Sequence, residues 1–219
     1  MPAEQRNVAS PTVPFLVWGL VLVSLSCALG AWVLAQGNGP FAVDAWWNGV
    51  LAGAEGSALS SFSLVMAFLG GGWFAVLVVP LGGALVLLLV RRPWSAAYFI
   101  LAQAASAALV QVLKRVFGRD RPEDIIIITD FGSFPSGHVA GAATLATALV
   151  VLFPRVAVLI LGVAWVLLMA LSRTVLHAHW LSDTAGGALL GTGAALIVAA
   201  AMWRLLAREE PRPSLAVGR

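Results

Sequence analysis

Ser172-Arg173-Thr174-Val175-Leu176-His177-Ala178-His179-Trp180-Leu181-Ser182-Asp183 joins two long apolar runs. An arginine, two histidines and an aspartate in such a place need a reason, because charge is costly beside a hydrocarbon phase. The third histidine of the chain is His138, and its one lysine is Lys114, seven residues before Arg121. These three clusters read as one anion-handling site at a membrane surface.

The surroundings of the clusters decide the fold class. The chain has 219 residues, 60% hydrophobic and 11% charged, whereas a soluble domain carries about 25% charge. A run of about 20 apolar residues spans a bilayer. Such runs extend over 13–35, 62–90, 95–117, 139–153, 156–171 and 180–203. The expectation is an all-α polytopic membrane protein with six transmembrane helices in one bundle. The domain is expected over 12–205, between a disordered tail at 1–11 and a polar tail at 206–219. The first run is longer than the apolar core of a signal peptide, so it reads as an uncleaved helix.

Three stretches depart from plain spans. Residues 36–61 mix Gly, Asn, Pro and Asp with Trp46-Trp47, which predicts a loop with a short interfacial helix anchored by an aromatic belt. Gly70-Gly71-Gly72 interrupts the second run and predicts either a kink or a short helix leading into a span from Trp73 to Val90. Ile125 to Ile128 form a patch too short to span, which reads as an interfacial segment or as local packing. The last run is rich in Gly and Ala, which lets helices approach closely.

An even number of spans puts both termini on one side. That side carries Arg6, Arg91, Arg92, Arg155, Arg204 and Arg208, so it is expected to be cytoplasmic. Lys114, Arg115, Arg119, Arg121 and Arg173 then fall on the opposite, extracytoplasmic face, against the usual bias. The formal charge of +3 does not indicate nucleic-acid binding, since the arginines sit at the ends of apolar runs and form no stripe. Cys27 is the only cysteine, lies in an apolar run and reads as a small core residue.

Each cluster has its own chemistry. Lys114 and Arg121 are two fixed cations that suit a phosphate; read alone, a snorkelling helix end explains them equally well. Arg115 and Arg119 read as such solvated ends. Pro135-Ser136-Gly137-His138 reads as a helix start, whose free N–H groups and dipole favour an anion. A plain capping turn explains its first three residues but not a histidine at a membrane face. His179 and Asp183 are four apart and would share a helix face. The carboxylate could then hold one imidazole nitrogen and leave the other to attack. His177 has Leu181 at that offset, so it reads as a packing or secondary residue. A metal site is disfavoured, because His177 and His179 would face apart on a helix and the arginines would repel a divalent cation.

Lys114-x6-Arg121-Pro122, Pro135-Ser136-Gly137-His138 and Ser172-Arg173-x5-His179-x3-Asp183 together resemble the three-part signature of the type 2 phosphatidic acid phosphatase superfamily. That superfamily includes membrane lipid phosphatases and soluble vanadium haloperoxidases. All three parts occur in order and without substitution, over Lys114 to Asp183. The resemblance implies a phosphatase that uses no metal or other cofactor and works through a phosphohistidine. It implies that His179 attacks phosphorus, Asp183 orients it, and His138 protonates the leaving oxygen. Lys114, Arg121 and Arg173 would hold the phosphate, helped by Ser136 and Gly137. A chain this apolar disfavours a haloperoxidase. The expected partners are membrane lipids and a lipid phosphate or diphosphate: undecaprenyl diphosphate, phosphatidylglycerophosphate or phosphatidate. A prenyl diphosphate is favoured, since an outward site suits carrier-lipid recycling. A phosphotransferase and a non-catalytic lipid-binding or transport protein are the alternatives.

Overall fold

The computed structural model describes residues 10–54, 56–127 and 131–209. Most of both tails and Ile128 of the isoleucine patch lie outside the described residues. Among the described residues every regular element is a helix. They are α1 (Thr12–Ala35), α2 (Ala42–Leu51), α3 (Ala58–Gly70), α4 (Val79–Leu89), α5 (Pro93–Phe117), α6 (Gly137–Leu152), α7 (Val156–Val175) and α8 (Leu181–Leu206). One π-helical turn, Phe74–Val78, precedes α4.

The local sequence explains the boundaries. Pro93 occupies the first turn of α5, where a missing N–H costs nothing. Gly118 ends that helix in the left-handed region, with φ 55°. Ser136 precedes α6 in extended conformation, and α6 ends just ahead of Pro154.

Helices α1, α5, α7 and α8 are each long and apolar enough to cross a membrane. Helix α3 and the Phe74–Leu89 stretch form a pair bent by 42° at the triple glycine and make a fifth candidate span. The sixth run of the sequence is α6. Its 16 residues reach about 24 Å at 1.5 Å per residue, short of a bilayer core of about 30 Å. The short helix expected within residues 36–61 is α2.

Helix α8 runs through the middle of the bundle, against α1, α5 and α6. Small residues make this possible. A β-carbon at Gly191 would collide with the carbonyl of Ala140, and one at Gly187 with the carbonyl of Ser136. The backbones of α6 and α8 therefore touch, and the start of α6 is pinned beside the start of α8. Antiparallel to α8, α1 packs Phe15 edge-on against Trp203 at one end, with ring centroids 5.8 Å apart. At its other end Asn38 donates to the carbonyl of Phe117 at 3.1 Å.

The two ends of the bundle differ in chemistry. Near the Phe15–Trp203 end, Glu209 accepts from the backbone N–H and hydroxyl of Ser95 at 3.0 and 2.6 Å, a carboxylate at a helix N-terminus. At the other end the last turns of α5 and α7 meet the first turns of α6 and α8. Lys114, Arg173, His138 and Asp183 lie in those turns. The outer faces of α4 and α7 are apolar and exposed, including Leu81, Leu85, Ile160 and Leu167, as a lipid-facing surface requires.

Candidate active site

Four helix ends enclose a cavity of about 480 Å³, lined by Lys114, Arg121, Gly137, His138, Arg173 and His179. Three stretches far apart in sequence thus come to one place. Ser136 and Asp183, the other two residues selected from the sequence, are buried and do not line it.

Two of the three cations are held by backbone carbonyls. Lys114 is buried in the last turn of α5, where the helix dipole favours a positive charge. Its Nζ donates to the carbonyl of Gly132 at 2.6 Å. Arg121 donates from Nη2 to the same carbonyl at 2.8 Å and from Nη1 to the carbonyl of Ala178. Arg173 is buried in the last turn of α7.

Nη1 of Arg121 also stands 3.3 Å from Nε2 of His179. A guanidinium can only donate, so Nε2 accepts from Arg121 and Nδ1 carries the proton. Nδ1 is 3.6 Å from Oδ2 of Asp183, longer than a formed hydrogen bond. Burial pushes the His179 imidazole well below the usual histidine value of 6.5, and the Arg121, Arg173 and Lys114 cations push it the same way. The result is a neutral imidazole surrounded by positive charge.

His138 occupies the first turn of α6 and lines the cavity, as the sequence indicates. Its Nε2 lies 3.2 Å from the carbonyl of Ala67 in α3. A β-carbon on Gly71 would occupy the position of that nitrogen. The triple glycine thus does more than bend the span: it makes room for His138. The hydroxyl of Ser136 is buried and makes no hydrogen bond, while its N–H donates to the backbone carbonyl of Asp183 at 3.0 Å. Ser172 turns its hydroxyl to the carbonyl of Met169 at 2.8 Å.

Two expectations are corrected. His179 and Asp183 do not share a helix: α8 begins at Leu181, and Trp180 before it is extended, with ψ 156°. Their approach is made instead by the capping of α8, where Oδ2 of Asp183 accepts from the N–H of Trp180 at 2.9 Å. His177, read as a packing or secondary residue, makes polar contacts of its own. Its Nδ1 donates to Oδ1 of Asn48 at 2.7 Å and lies 2.9 Å from Oδ2 of Asp124. Its backbone is left-handed, with φ 49°, so the segment is a tight turn.

The second correction concerns Arg119, which is not a solvated helix end. Its side chain is fully buried and pairs with two carboxylates, Asp183 Oδ1 at 2.6 Å and Asp44 Oδ2 at 2.8 Å. Phe41 and Trp180 contribute ring faces to it, 5.6 and 5.8 Å from the guanidinium carbon. The glycine turn at 118 and the burial of Phe117 carry Arg119 inward while Arg115 stays exposed. Gln111 was also not singled out from the sequence, although it lines the cavity one helical turn before Lys114.

An apolar cavity of about 450 Å³ adjoins the charged one and shares Gly72, Val110, Gln111, Gly137 and His138 with it. It runs between the Phe74–Leu89 stretch and α5, lined by Val76, Leu77, Pro80, Leu81, Ile100 and Ala104. Among the described residues no three His, Cys, Asp or Glu side chains converge as a metal site would require. The arrangement provides a neutral imidazole, three cations and a helix N-terminus around one space, with an apolar channel at its edge.

Comparison with known proteins gives the family. A decaprenylphosphoryl-5-phosphoribose phosphatase of Mycobacterium tuberculosis is 36% identical over 135 residues, covering 58% of this chain and 70% of that protein. A lipid A 1-phosphatase of Rhizobium johnstonii is 31% identical over 121 residues, covering 48% of this chain. The chain spans about half the length of that relative, 47%. Among solved structures, Aquifex aeolicus LpxE superposes with a TM-score of 0.62 at 26% identity, over 72% of this chain and 95% of that one. The PAP2-type phosphatidylglycerolphosphate phosphatase of Bacillus subtilis superposes with a TM-score of 0.70 over 89% of this chain and 98% of that one; at 22% identity it speaks for the fold. The PAP2 superfamily model matches residues 95–207, which hold every residue of the charged cluster, and this multi-pass membrane protein belongs to that superfamily.

Proposed function

We propose that the protein is a lipid phosphatase that hydrolyses a phosphate ester or anhydride through a phosphohistidine on His179. The observation that carries this reading is the placement of His179, His138 and three cations on one cavity that adjoins an apolar channel. The charged space suits a phosphate, and the channel suits the hydrocarbon of its lipid. Helices α4 and α5 frame that channel, so the tail could stay in the bilayer while the head reaches the site.

In this reading Lys114, Arg121 and Arg173 neutralise the phosphoryl oxygens, and the start of α6 adds the Gly137 N–H; the Ser136 hydroxyl is buried off the cavity and has no contact with the phosphate. Nε2 of His179 attacks phosphorus in line. The P–O bond to the lipid breaks, and the leaving oxygen takes a proton from His138. Asp183 stabilises the positive imidazole that forms. A water then attacks the phosphohistidine, giving its proton to His138 and releasing inorganic phosphate. Phosphoryl transfer rests mainly on positioning and charge stabilisation, which is what this site supplies. We place the site on the extracytoplasmic face of the cell membrane, with both termini inside, because the other end of the bundle holds Arg91, Arg92, Arg155, Arg204 and Arg208.

The test is phosphate release by purified protein in detergent, with EDTA present, from a panel of lipids. The panel is undecaprenyl diphosphate, phosphatidylglycerophosphate, phosphatidate, lipid A 1-phosphate and decaprenylphosphoryl-5-phosphoribose. Release from at least one, abolished in His179→Ala, supports the reading. Binding without release from any of them contradicts it, and transfer of label to an acceptor other than water assigns a phosphotransferase.

A further inference from the structure

Helix α2 belongs to a part of the chain outside the family match, yet its inward face is spent on the segment that carries His179. Val43, Trp46 and Val50 recur at helical spacing and are exposed, which makes the outer face of α2 apolar. Asp44 and Asn48, one turn apart, point the other way. A carboxylate and an amide turned toward the protein, with apolar residues turned out, reverse the pattern of a soluble surface helix. At a lipid interface this pattern is natural on the outside, so the inner pair needs its own account.

Those two side chains hold both ends of one short segment. At the near end, Oδ1 of Asn48 accepts from Nδ1 of His177 at 2.7 Å. At the far end, Oδ1 of Asp44 accepts from the N–H of Ser182 at 2.8 Å, and Oδ2 accepts from its hydroxyl at 2.7 Å. Asp44 thereby caps α8 from another helix. Arg119 extends the hold: it binds Asp44 with one nitrogen and Asp183 with the other. Oδ1 of Asp183 is thus fixed by Arg119 and Oδ2 by the N–H of Trp180. The carboxylate that faces His179 has no freedom to turn.

We infer that α2 is part of the catalytic apparatus, with Asn48, Asp44 and, through them, His177 and Arg119 acting as positioning residues for the His179–Asp183 pair. This rests on the proposed phosphatase reading. A buried carboxylate–arginine–carboxylate group is a poor source of stability, since desolvation offsets most of its attraction. What such a group supplies is a fixed geometry, and misplacing a reacting group by about 1 Å costs about a hundredfold in rate.

The experiment uses the full chain in detergent with dioctanoyl phosphatidate, or whichever lipid of the panel is turned over, as the probe. Asn48→Ala, Asp44→Asn and Arg119→Lys are compared with the parent protein for kcat, KM, thermal unfolding and the rate of phosphohistidine formation. Positioning predicts kcat lower by about tenfold in Asn48→Ala and about tenfold to a hundredfold in Arg119→Lys, with KM within about threefold. It also predicts that the double variant loses less than the product of the two, because both act on one segment. Folded Asn48→Ala and Arg119→Lys proteins with parental kcat overturn the inference, even if their unfolding temperatures fall. If the buried-charge variants do not fold, Asn48→Ala decides alone, since its side chain is only half-buried. His179→Ala separates the two levels. If it is inactive while the α2 variants are normal, only this inference fails; if it remains active, the phosphatase reading itself fails.

Discussion

Arg121 and His179 share an edge: the guanidinium Nη1 sits 3.3 Å from the imidazole Nε2, on the cavity both side chains line. The contact gives Arg121 two effects. In the proposed reading it stabilises charge on a bound phosphate, and it adds to the burial that keeps the free imidazole unprotonated.

The second effect sets the pH dependence. Burial, then Arg121, Arg173 and Lys114, hold His179 well below its usual value. A nucleophile must be neutral, so its acid limb in kcat/KM lies at the depressed value. We expect activity to hold as pH falls from 7 to 6. Arg121→Gln removes one of the depressing charges, so the limb moves up toward 6.5. A pH–rate profile of both proteins checks this; a limb that stays put or moves down in the variant contradicts it.

The first effect sets the rate. Arg121→Ala is expected to lower kcat/KM by about a hundredfold to a thousandfold, the usual cost of removing a donor from a developing anion. Arg115→Ala, six residues earlier and exposed, should stay within about twofold. Steady-state kinetics on both variants make the comparison, and equal losses would deny Arg121 its place on the phosphate.

Asp183→Asn is expected to leave a folded protein, because the amide fills the same space and Arg119 retains Asp44. Its kcat should fall by about a hundredfold to ten thousandfold, as when a histidine loses its orienting carboxylate. Kinetics and thermal unfolding, measured together, separate this from a structural role. A protein that fails to insert or fold would make Asp183 structural.

Two glycines carry distinct predictions. Gly71→Ala places a methyl where the His138 imidazole stands, so kcat should drop by about tenfold or more while the fold persists. Gly191→Ala drives a methyl into the Ala140 carbonyl and separates α6 from α8. That should cost about 1–3 kcal/mol of stability. Thermal unfolding of the pair should therefore show the larger loss in Gly191→Ala.

Much of this was legible in the sequence, for physical reasons. Charges in an apolar chain stand out, so Lys114, Arg121, His138, Arg173 and His179 could be gathered before any coordinates. Apolar length and proline marked the helices, and the triple glycine marked the break between α3 and α4. Arg119 was not legible. It stands in a polar connection between Lys114 and Phe134, where a buried charge and a solvated one look alike. Its partner Asp44 lies 75 residues away, and no local periodicity links them. The same holds for Asn48 and His177, 129 residues apart. The four-residue spacing of His179 and Asp183 indicated their closeness by the wrong route, since the helix starts after the histidine and the two stand 3.6 Å apart, beyond a hydrogen bond.

The central claim is that His179 takes the phosphoryl group. The most direct test is a rapid acid-free quench of the protein during turnover of a lipid labelled in its terminal phosphate, followed by peptide mapping. The account predicts an alkali-stable, acid-labile phosphate on the peptide bearing His179, absent in His179→Ala. Label on any other residue, or full turnover by His179→Ala, would contradict it.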